Sequence, residues 1–231
     1  IKPNSNHLNN NPHIVIIGNG IAGVTCARNI RKKSNAPITI VSGESDYFFS
    51  RTALMYIYMG HMRFQDTKPY EDKFWKKNKI DLLNRWVNKV DTDNKDLIFS
   101  NGEKLSYGKL VLAVGSVPNK FGWEGQELEG VQGLYHLQDL ELMEKNTQNI
   151  QHAVIVGGGL IGVEMAEMLR TRGIKVTFLV RESGFWGSVL PKEESELVSR
   201  EIANHGVDIQ FNTELESIEG KNGRVSAIIT K

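Results

Sequence analysis

Two glycine-rich segments of this chain have nearly the same sequence. The first is VIIGNGIAGVTCAR, residues 15–28, and the second is VIVGGGLIGVEMAE, residues 154–167. Each follows a short apolar run, and each leads into a segment with helical spacing and then into a further apolar run. This order predicts a βαβ unit with parallel strands in both places.

The similarity extends beyond the two loops. Each position of the first copy falls on a position 139 residues later without a gap, so that Gly18 matches Gly157 and Val41 matches Val180. A repeat at constant spacing indicates one supersecondary unit used twice. The expected fold class is therefore α/β.

The glycine spacing, G-x-G-x-x-G, predicts dinucleotide binding. The first glycine permits a tight turn, the second lets a pyrophosphate approach the backbone, and the third lets the helix pack closely on the strand. Phosphate oxygens then meet free N–H groups at the helix N-terminus. Two dinucleotides in one chain suggest a hydride relay between a mobile nicotinamide and a retained partner, for which a flavin is the natural choice.

In such a unit, an acidic residue after the second strand holds a ribose 2′-hydroxyl. The first copy reads IVSGE, so that Glu44 is the nearest carboxylate. The second reads FLVRE, with Arg181 at the acidic position and Glu182 beside it. An arginine there accepts the 2′-phosphate of NADPH, lies on the adenine, or is solvated, and the choice between NADH and NADPH stays open.

Length and charge exclude some other classes. The chain has 231 residues, of which 40% are hydrophobic, and a net charge of +1 gives no electrostatic reason to expect a nucleic-acid partner. Neither an apolar run of roughly 20 residues nor a signal-peptide pattern is present, so we expect no membrane span and a cytoplasmic location. The histidines lack metal-ligand spacing, and we expect no metal site. The Asn-rich residues 1–12 are predicted to form a flexible tail.

Four segments in order carry a family resemblance: VIIGNGIAG, FFSR, KLVLAVGSVPN and VIVGGGLIGVEMAE. Together they resemble the FAD-dependent pyridine-nucleotide oxidoreductases, which include ferredoxin and rubredoxin reductases, the flavin part of NADH-dependent nitrite reductase, and single-chain NADH dehydrogenases. The resemblance implies two Rossmann-like three-layer domains. It places an FAD-binding domain at residues 13–120, incomplete at its C-terminus, a linker at 121–137, and an NAD(P)-binding domain at 138–231 whose end is left open.

The resemblance also implies which residues contact FAD. The glycines would serve the pyrophosphate, Glu44 the adenosine ribose, Arg51 the adenosine or phosphates, and the backbone of Val87 the adenine. Val114 stands where the family segment LVLATGS has a threonine. The full FAD set is Gly18, Gly20, Ile21, Ala22, Gly23, Glu44, Arg51, Val87, Ala113 and Gly115.

In the second copy, the resemblance implies that the glycine loop holds NAD(P)H. Glu164 matches the glutamate of the family pattern GxIGxE and is the candidate catalytic residue near the nicotinamide, with a solvated helix residue as the alternative. The full set is Gly157, Gly159, Leu160, Ile161, Gly162, Glu164, Arg181 and Glu182.

Two features depart from particular members of the family. Ferredoxin and rubredoxin reductases carry a run like RPxLSK beside the flavin, whereas this chain has RTALMY, with Thr52 and with Tyr56 expected near the flavin. The single cysteine, Cys26, excludes a Cys-x-x-Cys pair within this chain and is expected to be a small buried side chain. We therefore expect chemistry without a redox-active disulfide.

The predicted function is an FAD-dependent oxidoreductase that passes a hydride from NAD(P)H to FAD and then electrons to an unidentified acceptor. A small redox protein, a quinone and a small molecule are the acceptor classes considered. The alternatives are a non-catalytic nucleotide-binding regulatory or interaction module and a flavin monooxygenase. A homodimer is left open.

Overall fold

The computed structural model describes residues 11–231 and divides them into two compact units. The first unit contains the described chain as far as Ala53, with Met62–Val117 and His136–Gln138. The second contains Leu54–His61, Pro118–Tyr135 and Asp139–Lys231. Of the predicted tail, residues 1–10 lie outside the described residues.

Both units contain strands and helices. The strands are β1 Ile14–Ile17, β2 Ile38–Ser42, β3 Ile80–Asn84, β4 Val87–Asp91, β5 Asp96–Phe99, β6 Lys104–Ser106, β7 Lys109–Leu112, β8 His152–Val156, β9 Lys175–Val180, β10 Val207–Phe211, β11 Leu215–Lys221 and β12 Arg224–Thr230. The helices are α1 Ile21–Lys33, α2 Leu54–Tyr58, α3 Asp72–Lys77, α4 Leu137–Thr147, α5 Leu160–Thr171 and α6 Lys192–Asn204. The described helices are all too short or too polar to span a bilayer.

The first unit is built on a parallel sheet with the strand order β3-β2-β1-β7. Ile14 and Ile16 of β1 pack in one core with Val24 of α1. Val15, between them in sequence, packs in a second core with Leu97 of the antiparallel sheet β4-β5-β6. Successive side chains of a strand point to opposite faces, so a strand covered on both faces is apolar at every position.

The second unit contains a parallel sheet with the strand order β10-β9-β8. Helix α5 packs on β8 and β9, and α6 packs on β10. The hairpin β11–β12, whose first strand we had not predicted, turns at Asn222 and Gly223. The expected α/β class with parallel sheets is confirmed.

A short segment from the first half of the sequence belongs to the second unit. Helix α2 packs on α5, and Tyr58 at its end is fully buried. The Tyr58 hydroxyl donates to Thr147 Oγ1 at 2.8 Å, and Arg172 donates through Nε to the Tyr58 carbonyl at 2.8 Å. Tyr56, which we expected near the flavin, lies on the same helix.

The segment predicted as a linker, 121–137, lies in the second unit as far as Tyr135. Isolated bridges join Glu124 to Ser217 and Glu129 to Arg224 of the β11–β12 hairpin. The domain boundaries assigned in the sequence remain predictions because they concern cofactor binding.

The apolar sequence YGKLVLAVG, residues 107–115, predicts a buried strand, and this prediction is wrong. Only Lys109–Leu112 is a strand, and within the described residues it pairs with β1 alone. Leu112 is 65% exposed and Val114 is 66% exposed. The apolar run suggested burial on both sides, but an apolar run does not show whether a strand lies inside a sheet or at its edge.

Each βαβ unit also carries the same histidine–threonine pair. His13 Nε2 lies 2.9 Å from Thr39 Oγ1, and His152 Nε2 lies 2.9 Å from Thr177 Oγ1. Burial lowers the pKa of His13 from its usual 6.5, and this effect exceeds the opposing effects of a hydrogen bond with the Ser106 backbone and of the Asp81 charge.

We predict that His13 makes the protein less stable in mild acid. Because its pKa is lower in the folded state, the unfolded chain binds the proton more readily, and stability falls as the pH drops through 6.5. The variant His13→Gln should lose less stability than the wild type between about pH 7.5 and about pH 5.5 in urea denaturation. An equal loss in both proteins would contradict this assignment.

Candidate nucleotide-binding sites

The first glycine loop connects β1 to α1. Gly18 has φ +109°, and its N–H donates to the Val41 carbonyl at 2.7 Å, so that the chain turns sharply at the carboxyl end of β1. Helix α1 begins at Ile21 with Gly20 as its N-cap. In the sheet, β2 and β3 lie on one side of β1 and β7 lies on the other, so the turn after β1 lies where the strand order changes direction. Such a switch point is where open α/β sheets bind ligands.

The three glycines of this loop have different surroundings. A Cβ on Gly18 would lie 2.1 Å from the Ala113 carbonyl oxygen, and a Cβ on Gly23 would lie 2.0 Å from the Gly18 carbonyl oxygen. A Cβ on Gly20 would meet nothing within 4 Å. Gly18 and Gly23 are therefore required by packing, whereas the space at Gly20 is open to a ligand.

The second loop connects β8 to α5 in the same way. Gly157 has φ +116°, and Gly159 is the N-cap of α5. A Cβ on Gly162 would lie 2.5 Å from the Phe178 ring and 2.6 Å from the Gly157 carbonyl oxygen. A Cβ on Gly157 or Gly159 would meet nothing within 4 Å. This loop has the same open position as the first.

The first turns of α1 and α5 carry neither an acidic residue nor a side-chain cap. The helices α3, α4 and α6 each have an acidic residue in the first turn, namely Asp72, Asp139, and the pair Glu193 and Glu194. A helix N-terminus leaves N–H groups without intrahelical partners and carries partial positive charge. The two helices that follow the glycine loops thus keep this charge available for an anion such as a pyrophosphate.

Apolar side chains flank both open loops. Ile21 and Ala22 in α1, and Leu160 and Ile161 in α5, are exposed, with Ile21 at 71% and Ile161 at 66%. All four were predicted cofactor contacts. Their exposure leaves them available to a ligand.

Asn19 is a site residue that the sequence analysis missed. It is buried between Gly18 and Gly20, and its Nδ2 donates to the Ser45 carbonyl at 3.0 Å and to Ser45 Oγ at 3.2 Å. The side chain thereby fixes the glycine loop to the segment after β2. The asparagine in the sequence GNG was the only signal of this role. Its partner, Ser45, is evident only once β1 and β2 are paired in the sheet.

The second loop is attached to its sheet differently. Gly158 stands where the first loop has Asn19, and its carbonyl accepts a hydrogen bond from the Trp186 N–H at 2.9 Å. Trp186 has φ +48°, a left-handed conformation that is uncommon for a bulky residue. The segment after the second strand is thus tied to the glycine loop in both units.

Glu44 and Arg51, both predicted near the adenosine, form a two-point ion pair. Arg51 Nη1 donates to Glu44 Oε1 at 2.8 Å, and Nη2 donates to Oε2 at 2.7 Å. The Glu44 side chain is only 10% exposed, and its Oε1 also accepts the Leu137 N–H at 3.0 Å. A carboxylate oxygen accepts two hydrogen bonds, so Oε2 retains capacity for a ribose hydroxyl.

Three further predicted FAD contacts lie in the first unit. The Ala113 carbonyl packs closely against Gly18, and the Ala113 N–H donates to the Ile17 carbonyl at 2.8 Å. Gly115 follows with φ +72°. Val87 begins β4 and packs against the core that contains Val15.

Glu164 lies one turn into α5 and is half buried. Within the described residues, no hydrogen bond or ion pair joins its carboxylate to another group. A half-buried carboxylate in this state retains its full capacity to accept hydrogen bonds from a ligand.

Arg181 and Glu182 follow β9 and pair with each other. Arg181 Nη2 donates to Glu182 Oε1 at 3.0 Å, and both side chains are exposed. This hydrogen bond, supported by one from the Glu182 backbone, holds the pKa of the Glu182 carboxyl below its usual value. The pair places both a guanidinium group and a carboxylate at the position expected for the ribose.

Other kinds of site have little support in the part of the chain described. Residues 11–231 contain no group of three or more His, Cys, Asp or Glu side chains arranged to hold a metal ion. Cys26 is partly buried and packs against the core of the first unit.

Two glycine loops, each in its own βαβ unit and each followed by a helix without a side-chain cap, are typical of dinucleotide-binding proteins. The family model for pyridine nucleotide-disulphide oxidoreductases matches residues 12–231. The chain belongs to this family, as the resemblance implied. FAD and NAD(P)H are the cofactors that the family and its reductase members use.

Individual relatives are similar over nearly the whole chain. Rubredoxin-NAD(+) reductase of Pseudomonas putida is 29% identical and matches 94% of this chain and 57% of its own length. The ferredoxin–NAD(+) reductase component of the biphenyl dioxygenase system of Paraburkholderia xenovorans (strain LB400) is 30% identical and matches 94% and 53%. The chain thus spans a little over half the length of these relatives.

A solved structure shows the same fold. The ferredoxin reductase for the CYP199A2 system of Rhodopseudomonas palustris aligns with a TM-score of 0.85 over 95% of this chain and 55% of its own, at 23% identity.

We predict that alanine substitutions at the packed glycines destabilise the fold and that those at the open glycines do not. Gly23→Ala should lower the free energy of unfolding by about 1–3 kcal/mol, because its Cβ would overlap the Gly18 carbonyl. Gly162→Ala should do the same through Phe178. Gly20→Ala and Gly159→Ala should unfold within about 1 kcal/mol of the wild type in urea denaturation, since their Cβ atoms meet nothing. A similar loss for all four variants would show that the loops are not packed as described.

Proposed function

We propose that this chain binds FAD at its first glycine loop and NAD(P)H at its second, and passes a hydride from NAD(P)H to FAD. In this proposal residues 13–120 form the FAD-binding domain, 121–137 a linker and 138–231 the NAD(P)-binding domain, each domain being Rossmann-like with three layers. The electrons then pass to an acceptor without a disulfide within this chain, which has Cys26 as its single cysteine.

One observation carries the proposal. Both helices after the glycine loops begin without a side-chain cap and without an acidic residue in the first turn, and each begins beside a glycine where an added Cβ would contact nothing. The helices α3 and α6 also lack a side-chain cap, but each carries at least one acidic residue in its first turn that interacts with the helix dipole, whereas α1 and α5 have neither. A pyrophosphate supplies the missing partner in both units.

The first loop has the features required to retain FAD. Gly20 admits the pyrophosphate, Glu44 accepts a ribose hydroxyl at Oε2, and Arg51 holds that carboxylate in place through two hydrogen bonds. Asn19 holds the loop in place from the side. When bound, FAD supplies a ring that accepts a hydride and releases electrons to an acceptor.

The second loop would hold the mobile donor. Gly159 admits the pyrophosphate of NAD(P)H, and the pair Arg181 and Glu182 lies where the adenosine ribose belongs. Glu164 would accept a hydrogen bond near the nicotinamide and so orient that ring. The protein's contribution is orientation, which converts an encounter between two reactants into a step within one complex.

The names of two relatives suggest the class of acceptor. One is a reductase of rubredoxin and the other of ferredoxin, and both of these acceptors are small redox proteins. We therefore propose a small redox protein as the electron acceptor of the full-length enzyme.

The proposal predicts separate losses from the two loops. With added FAD, the wild-type chain should become yellow, and anaerobic NADH or NADPH should bleach the flavin absorbance. Gly20→Val should abolish FAD retention, whereas Gly159→Val should retain FAD and weaken bleaching by NADH about tenfold or more, because each valine fills one anion site. Stopped-flow absorbance measures both effects.

Two outcomes would contradict the proposal. A wild-type chain that stays colourless with FAD would remove the flavin chemistry. A chain that binds both nucleotides without bleaching would be the non-catalytic module considered as an alternative, and oxygen-dependent hydroxylation of a substrate would indicate a flavin monooxygenase.

Glu164 has its own test in the same assay. Glu164→Gln should slow bleaching about tenfold, because the loss of a charged hydrogen-bond acceptor at a ligand costs about 1.5 kcal/mol. Glu167→Gln, on the exposed side of the same helix, is the matched control and should react like the wild type. Equal rates for all three proteins would assign Glu164 to the solvated face of α5.

A further inference from the structure

Trp86 lies in the turn between β3 and β4 and is 61% exposed. Its ring packs against the backbone of Gly43. A Cβ on Gly43 would lie 2.5 Å from Cδ2 of the indole, 2.7 Å from Cγ and 2.9 Å from Cε2. The contact therefore requires glycine at position 43.

Hydrogen bonds on both sides of this turn hold Trp86 in position. The Arg85 N–H donates to the Ser42 carbonyl at 2.9 Å, and Asn84 Nδ2 donates to Asp46 Oδ1 at 2.5 Å. The Trp86 carbonyl accepts the Ser100 N–H at 3.1 Å. The turn thus runs along residues 42–46, and the indole is held over the middle of that segment.

That segment is the place where the first unit would receive an adenosine. Ser42 is the last residue of β2, and Glu44, two residues later, is the carboxylate proposed for the ribose. In a βαβ unit the ribose lies at the end of the second strand, and the adenine continues outward from it. The indole lies beside this point and contacts Gly43, but it is still largely exposed. It is therefore available to stack on a base.

We propose that Trp86 is an aromatic wall for the adenine of the dinucleotide bound at the first glycine loop, and that Gly43 is required to seat the indole there. This inference rests on the proposed function, in which that dinucleotide is FAD. An aromatic side chain stacks on a base through its face and needs no hydrogen bond to it. Trp86 would then strengthen retention of FAD without touching the flavin ring.

The first test measures the affinity of the chain for FAD by quenching of flavin fluorescence. Trp86→Ala should weaken FAD binding about tenfold, which is within the range measured for loss of base stacking, and Trp86→Tyr should keep most of the affinity. Phe121→Ala, which removes another exposed aromatic ring, is the matched control and should bind FAD like the wild type. Melting temperatures establish that each variant is folded.

A second measurement separates stacking from a general effect on the fold. ADP carries the adenosine half of FAD and lacks the flavin, and its displacement of FAD reports on the first loop alone. Trp86→Ala should weaken ADP by the same factor as FAD. A variant that had merely loosened the flavin end of the site would bind ADP normally, and that result would overturn the proposal.

The contact with Gly43 gives a third test by a double-mutant cycle. Gly43→Ala should weaken FAD binding when Trp86 is present, because the new Cβ displaces the indole. In the Trp86→Ala background the same substitution should have little further effect. Additive losses would overturn the proposed role of Gly43.

The outcomes distinguish this inference from the proposed function. If the wild type retains FAD and Trp86→Ala retains it equally well, the inference fails and the proposed function stands. If the wild type binds no FAD, both fail together.

Discussion

The close contact between each glycine loop and its own helix is the constraint on which the site depends. Gly23 and Gly162 allow the helix to approach the preceding turn so closely that a single methyl group would overlap backbone or ring atoms. This approach aims the uncapped N-termini of α1 and α5 at the open space beside Gly20 and Gly159. In the proposed function, affinity for an anion would be a consequence of this packing, because the same atoms that seat the helix also set the direction of its dipole.

The two loops share this geometry but differ in their surroundings. The first is tied down by the buried amide of Asn19, and its acid, Glu44, is nearly buried in an ion pair with Arg51. The second is tied through the Gly158 carbonyl, and its charged pair, Arg181 and Glu182, is exposed. A nearly buried ion pair suits a cofactor that is retained, and an exposed pair suits one that binds and leaves. We therefore propose that the two copies of the repeat have different roles, one for a retained cofactor and one for a mobile cofactor.

Much of this arrangement could be predicted from the sequence, because short-range patterns determine it. Glycine spacing and apolar runs located both βαβ units and their loops. The contacts of Asn19 with Ser45, and of Trp86 with Gly43, could not be predicted, since they join segments far apart in sequence. The edge position of β7 was missed because an apolar run looks the same at an edge and inside a sheet. The position of Tyr58 could not be predicted either, since the segment that carries it packs on a helix more than 100 residues away in the sequence.

The proposed function requires that two different dinucleotides occupy the two loops at once. Equilibrium dialysis of the FAD-loaded chain against NAD+, followed by quantification of both nucleotides, tests this directly. One FAD and one NAD+ should be bound per chain, with neither displacing the other. Displacement of FAD by NAD+, or two molecules of FAD per chain with no room for NAD+, would contradict it.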